Sequence, residues 1–338
     1  MSNNEIPAFG YIQAKSVADA VSTLTSYQGR ARVIAGGTDL LSQMKDNIDL
    51  HVPEVVVDIT NLGLDYVTFT QSDGLRIGAT TNVSTVETDT NVNQYFTALS
   101  EAATGHPPGI ANQATVGGDV LQEVWCWYLR NNYDCWRNGG NVCYAAQGDN
   151  RYYQSIFGGN LCYAVSPGDL PPALLALGAE VTIQGPGGST RTATIDQLMP
   201  GVSIVEGRVT EIDMHYNEVL TEVHIPTPPS GTQSTFYKLA DRGGIDFALA
   251  SVAVVVTTNG STISSATVAL GGVANKPLRA RSAESALVGE TLPLSSSAIA
   301  KAAQNAVSGA TPLTSGIGNG FKVQQVIGAV TNALGDLT

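Results

Sequence analysis

Four cysteines, Cys126, Cys135, Cys143 and Cys162, are the only thiols in this 338-residue chain, and they lie close together in sequence. A set of four soft thiolates is what an iron–sulfur cluster or a structural zinc requires. The spacing, C-x8-C-x7-C-x18-C, contains no C-x2-C pair, so by itself it is weak evidence for a metal, and isolated cysteines also serve as small buried hydrophobes. Glycine pairs bracket the region: Gly117-Gly118 lies upstream and Gly158-Gly159 just before the last thiol. All three tryptophans, Trp125, Trp127 and Trp136, are here too, and an apolar shell restricts water around a redox centre.

A second chemistry is written in glycine. Val33-Ile34-Ala35-Gly36-Gly37-Thr38-Asp39-Leu40 places two glycines between an apolar run and a helical pattern. Glycines let backbone approach a phosphate, successive N–H groups point at it, and a helix N-terminus adds a favourable dipole. Thr38 and Asp39 also suit plain N-caps. A second pair sits in Thr115-Val116-Gly117-Gly118-Asp119. Gly185 to Gly188 is a decoy, because it lacks the Lys-Ser/Thr ending and reads as a hairpin turn.

The elements that must hold these loops follow from periodicity. Residues 15–27 carry Val17, Ala20, Val21 and Leu24 at helical spacing, 31–35 read as a short strand, 38–46 as a helix and 55–59 as a buried strand, a βαβ-like opening. Further on come a strand at 75–77, a helix at 94–103 and a helix at 170–177 with Pro171 and Pro172 in its first turn and Gly178 at its end. Strands at 180–184 and 190–195 flank the Gly-rich turn, strands at 251–258 and 262–270 flank Asn259-Gly260, and helices close the chain at 297–307 and 323–334.

A net charge of -12 and a pI near 4.6 argue against a nucleic-acid surface and against docking to anionic lipid. No apolar run reaches the ~18 residues of a membrane span, and residues 1–12 lack a basic n-region and apolar h-region. The expected compartment is therefore the cytoplasm, with the periplasm reached only by export alongside a signal-bearing partner. A chain that is 43% hydrophobic does not need disulfide staples. The histidines His51, His106, His215 and His224 are dispersed, without ligand spacing, and read as structural or exposed.

Several motifs, in order, resemble the FAD-binding subunits of the xanthine oxidase and carbon monoxide dehydrogenase families. They are Ala35 to Leu40, Ile77-Gly78-Ala79-Thr80-Thr81, Gly105-His106-Pro107 to Asn112, Thr115 to Asp119, Ser166-Pro167-Gly168-Asp169-Leu170, Tyr237-Lys238 and Gly271-Gly272-Val273-Ala274. The resemblance covers nearly the whole chain. It implies an α+β chain: a FAD-binding fold of two α/β subdomains (1–60 and 61–225) and a C-terminal α+β domain with an antiparallel sheet (226–338). It further implies FAD with its pyrophosphate on Ala35, Gly36, Gly37, Thr38, Asp39 and Leu40, and a second contact from Thr115, Gly117, Gly118 and Asp119. Asp169 matches an acid that bonds the sugar-like part of FAD, and Lys238 a lysine that reaches toward the flavin edge. Asp119 stands where the family usually has Asn, Gly168 where Ser is commoner, and Ala111 breaks an Ile-Arg-Asn run.

Ordinary members pass almost directly from the second glycine loop to the Ser-Pro-x-Asp motif, whereas here about 121–162 intervene and carry the thiols. Two branches have such an insertion with a 4Fe-4S cluster, the flavin subunits of 4-hydroxybenzoyl-CoA reductase and of bacterial periplasmic aldehyde oxidoreductase. The placement of Cys162 just before Ser166 is more similar to the latter. The resemblance thus implies an FAD and 4Fe-4S subunit, with Cys126, Cys135, Cys143 and Cys162 as ligands, in a heterotrimeric molybdenum hydroxylase that oxidises aldehydes. A molybdopterin-binding large subunit would hold the substrate, a 2Fe-2S small subunit would deliver electrons, and an external acceptor would remove them. An aryl-CoA reductase subunit or a flavin-free scaffold with a four-cysteine zinc loop is the alternative.

Overall fold

The computed structural model describes residues 5–46, 48 and 52–337, so His51 lies outside the described residues. The opening is a three-stranded parallel sheet with Val55–Asp58 in the middle, Gly10–Gln13 on one side and Ala31–Ile34 on the other. Parallel neighbours need a crossover, and helix Val17–Tyr27 supplies the first one. Ser16 caps that helix by accepting from the Asp19 N–H, and Ala20, Val21 and Leu24 form its buried stripe. The continuous run Val55, Val56 and Val57 is buried, as a strand between two others requires.

A five-stranded antiparallel sheet follows, ordered Val67–Thr70, Gly74–Gly78, Val219–Ile225, Glu180–Gln184, Thr190–Thr194. Helices Thr97–Thr104 and Leu170–Ala176 share its core, in which Leu75, Ile77, Leu99, Leu174 and Ile183 are fully buried. The expected helix at 94–103 is divided in two. Asp89 caps a separate helix, Thr90–Tyr95, and Phe96 breaks helical geometry before Thr97–Thr104 begins.

The third sheet, Thr232–Leu239, Ala250–Asn259, Thr262–Gly271 and Leu278–Arg279, is antiparallel throughout and is turned at Gly260, whose φ of 63° suits a tight hairpin. Helices Arg281–Leu287, Ser296–Ala306 and Lys322–Gly335 cover one face. No helix among the described residues is long and apolar enough to cross a membrane.

The inserted segment has only short helical turns, Trp127–Arg130, Trp136–Asn138 and Tyr144–Ala146. It gains order from what it touches. The side chain of Asn150 donates to Ser315 O at 2.8 Å and accepts from Gly318 N at 2.8 Å. Asn319 donates to the carbonyls of Gln154 and Ser155, and Nζ of the buried Lys322 donates to Tyr152 O, Gln154 O and Gly272 O. The insertion is therefore clamped by the C-terminal unit.

Candidate functional site

The first glycine loop leaves strand Ala31–Ile34 and enters the short helix Leu40–Lys45. It lines a cavity of about 650 Å³ that it shares with Thr115, Gly117 and Gly118 of the second loop and with the ribbon Ser203–Val205/Arg208–Thr210. Gly36 presses on the neighbouring chain so closely that a Cβ there would lie 1.8 Å from Gln113 O, and Gly37 has a φ of 74°. Among the described residues the backbone N–H groups of Gly36, Gly37, Thr38 and Asp39 make no hydrogen bond within the chain. They are thus available to an anion.

The second loop is different. Gly117 N–H donates to Ala79 O at 2.9 Å, and Gly118 N–H to the Thr115 hydroxyl, which caps the turn Val116–Val120. Its amides are satisfied internally, so what it offers the cavity is room. A Cβ on Gly118 would meet only that hydroxyl.

The acids of these loops, Asp39 and Asp119, are each paired with a basic side chain. Asp39 accepts from Arg130 Nη2 at 2.8 Å, from Glu123 N–H at 3.0 Å and from Gln43 Nε2 at 2.8 Å. Asp119 accepts from Leu170 N–H at 2.9 Å and pairs with His106 Nε2 at 3.0 Å. Burial disfavours a charge on the His106 ring, but the Asp119 carboxylate outweighs it and holds the pKa up at about 9. His106 is therefore a buried cation, where dispersal in sequence gave it no role; the signal that could have found it is the acid at position 119.

Asp169 and Lys238 pair with each other at 2.6 Å, and Lys238 Nζ also donates to Gly105 O at 3.0 Å. Neither lines the 650 Å³ cavity. Burial raises the Asp169 pKa against the pull of Lys238. Its second oxygen, Oδ1, is buried without a hydrogen-bond partner among the described residues. An orphaned carboxylate oxygen of this kind fits a hydroxyl donor.

The four cysteines are unbridged, Cys126 and Cys162 buried and Cys135 and Cys143 half-buried. Cys126 and Cys162 belong to one buried apolar cluster, and Cys135 packs against it. Gln154 Nε2 lies 3.6 Å from the Cys126 sulfur. Arg137 Nε lies 3.2 Å from the Cys162 sulfur. Burial pushes the Cys126 thiol up to about 11. Among the described residues no group of three or more His, Cys, Asp or Glu side chains is closed to metal-ligating distance. The aromatic residues pack around the segment, with Tyr128, Tyr133 and Tyr144 in mutual contact and Trp125 against Tyr153 and Phe247.

Glu123 joins the two regions. Its carboxylate takes Arg137 on the thiol side and Arg32 and Arg208, which line the cavity, on the other.

Residues 7–228 match the family model for the FAD binding domain in molybdopterin dehydrogenase, and 235–322 match the CO dehydrogenase flavoprotein C-terminal domain. The aldehyde oxidoreductase FAD-binding subunit PaoB of Escherichia coli is 34% identical over 83% of this chain and 86% of its own length. The carbon monoxide dehydrogenase medium chain of Afipia carboxidovorans is 30% identical over 84% of this chain and 81% of its own. A solved carbon monoxide dehydrogenase structure from Hydrogenophaga pseudoflava superposes with a TM-score of 0.75 at 27% identity, covering 98% of this chain and 97% of that one. With its first glycine loop, its cavity and its antiparallel C-terminal sheet accounted for over nearly the whole length, the chain belongs to the FAD-binding oxidoreductase subunits of the xanthine oxidase and carbon monoxide dehydrogenase family, the molybdenum hydroxylases.

Proposed function

We propose that this chain is the electron-transfer subunit of an aldehyde-oxidising molybdenum hydroxylase and carries both FAD and a 4Fe-4S cluster. The observation that carries the reading is a set of four unbridged cysteines on one insertion, with Cys126, Cys135 and Cys162 packed together and Arg137 on the Cys162 sulfur, and with that insertion tied to the first glycine loop. The identity to an aldehyde oxidoreductase FAD-binding subunit supports the substrate class. In this reading a partner subunit with molybdopterin oxidises the aldehyde, a 2Fe-2S subunit delivers single electrons, and an external acceptor collects them.

The first glycine loop offers donors to the one group, and the four free thiols of the insertion offer a ligand set to the other. The free amides of residues 36–39 would bind the pyrophosphate, with Ala35 and Leu40 framing the loop and Thr115, Gly117 and Gly118 leaving space beside it. Arg130 neutralises Asp39 next to that anion, and His106 does the same for Asp119. Asp169 and Lys238 stand outside the cavity lining; the family resemblance gives them the sugar-like chain and the flavin edge, and Asp169 Oδ1 has no partner among the described residues to compete with a hydroxyl there. FAD, when bound, supplies conversion between two-electron and one-electron transfer. Burial raises the pKa of Cys126, Cys135 and Cys143, so these thiols would give up their protons on ligating iron, which takes the thiolate form.

Anaerobic titration of the whole complex with an aldehyde tests this function. Bleaching of the flavin absorption by substrate is expected. A flavin that responds to dithionite but to no aldehyde would contradict it, and bleaching by an aryl-CoA reductase's electron donor instead would favour the reverse chemistry.

A further inference from the structure

This inference rests on reading the four cysteines as cluster ligands, and it concerns a residue that sequence spacing does not mark. Arg137 is buried, its side chain 1% exposed, and its guanidinium is fully committed. Nε faces the Cys162 sulfur at 3.2 Å, Nη1 donates to Val209 O at 3.1 Å and approaches Glu123 at 3.4 Å, and Nη2 is bonded to Glu211. Glu211 is itself fully buried, and its other oxygen, Oε1, has no hydrogen-bond partner among the described residues. One guanidinium and two carboxylates, Glu211 and Glu123, are thus fixed beside one of the four sulfurs.

We propose that Arg137 sets the reduction potential of the four-cysteine centre through its bond to Cys162, with Glu211 as the opposing charge. Reduction adds one electron to the centre and makes or breaks no bond. The state with the extra negative charge gains more from an N–H and a cation aimed at sulfur, so the potential rises. A guanidinium stays charged at all working pH values, and its planar fork fixes Nε on the sulfur while the other nitrogens are anchored elsewhere. Gln154, neutral and at 3.6 Å from Cys126, makes the weaker version of the same contact. Glu211 opposes the effect, because its charge lies in a poorly screened interior. Arg137 also ties the insertion to the ribbon Arg208–Thr210, a structural task that would leave the potential unchanged.

The test is an EPR-monitored redox titration of the whole complex, purified without oxygen, for wild type, Arg137→Met, Arg137→Lys and Glu211→Gln. Loss of one charge-assisted bond at the sulfur should lower the reduced-to-oxidised ratio at fixed poise about tenfold in Arg137→Met, a shift of about 59 mV for a one-electron couple. Arg137→Lys should shift the same way by less, and Glu211→Gln should shift upward. An iron-loaded Arg137→Met complex with an unmoved midpoint, or Met and Gln variants that shift together, would overturn the proposal. If Arg137→Met does not hold iron, the isosteric Glu211→Gln decides, and its unmoved midpoint also overturns it. A wild-type complex without iron removes the cluster reading and this proposal together, whereas iron with unmoved midpoints removes this proposal alone.

Discussion

Replacing Gly36 by alanine tests whether the anion loop depends on close contact with the chain behind it. The added Cβ would lie 1.8 Å from Gln113 O and 2.7 Å from Gln113 C, both backbone atoms with no rotamer to change. Restoring even the 3.0 Å that real contacts respect requires the two segments to part by about 1.2 Å. Overpacking of this kind costs about 1–3 kcal/mol of folding stability. The same movement tilts the amides of residues 36–39, and the loss of one hydrogen bond to a charged oxygen is worth about 1.5–3 kcal/mol, or roughly ten- to a hundredfold in FAD affinity. Flavin release on dilution, followed by the recovery of FAD fluorescence, reads the affinity, and thermal unfolding reads the stability. Gly328→Ala is the control, since Gly328 lies within helix Lys322–Gly335 with nothing near its Cβ position, and it should add about 0.5–1 kcal/mol. A Gly36→Ala protein with wild-type flavin retention and wild-type unfolding would refute the argument.

Other consequences follow from the ion pairs and the clamp. His106 has a folded pKa of about 9 against 6.5 unfolded, so its pairing contributes about 3 kcal/mol that is fully present below 6.5 and lost as pH rises through about 9. The stability gap between wild type and His106→Gln should shrink across that window, and a gap independent of pH would count against a buried cation at His106. Arg130→Met leaves Asp39 charged beside the anion loop and should weaken FAD retention by about 1–2 kcal/mol, with Arg130→Lys restoring part of it, as fluorescence dilution would show. Lys322→Met leaves the carbonyls of Tyr152 and Gly272 without their Nζ donor and should cost about 2 kcal/mol or more. Hydrogen exchange should then rise at residues 150–156, and unchanged exchange there would show that the clamp does not depend on Lys322.

The local signals in the sequence read well where neighbours in sequence are neighbours in space. Ala20, Val21 and Leu24 do form one buried stripe with Val17 packed against it, Asn259-Gly260 does turn a hairpin, and Gly178 does end its helix with a φ of 71°. Long-range pairing left no such trace. Strand Val219–Ile225 inserts between Gly74–Gly78 and Glu180–Gln184, and nothing in its own residues names those partners. The same holds for the site. Glycines announced the first loop, but the partners of Asp39, Asp119 and Asp169, namely Arg130, His106 and Lys238, are set by tertiary contacts. The balanced charges of residues 123–151 conceal Arg137 and Glu123, whose importance lies in burial and position and not in number.

The central claim is that one chain holds a flavin and an iron–sulfur centre side by side. Flavin, iron, acid-labile sulfide and zinc measured together on the anaerobically purified complex test it most directly. The account predicts one FAD with about four irons and four sulfides per chain, and no zinc. Flavin without iron would contradict the cluster at Cys126, Cys135, Cys143 and Cys162, and zinc on the four thiols without flavin would contradict the account as a whole.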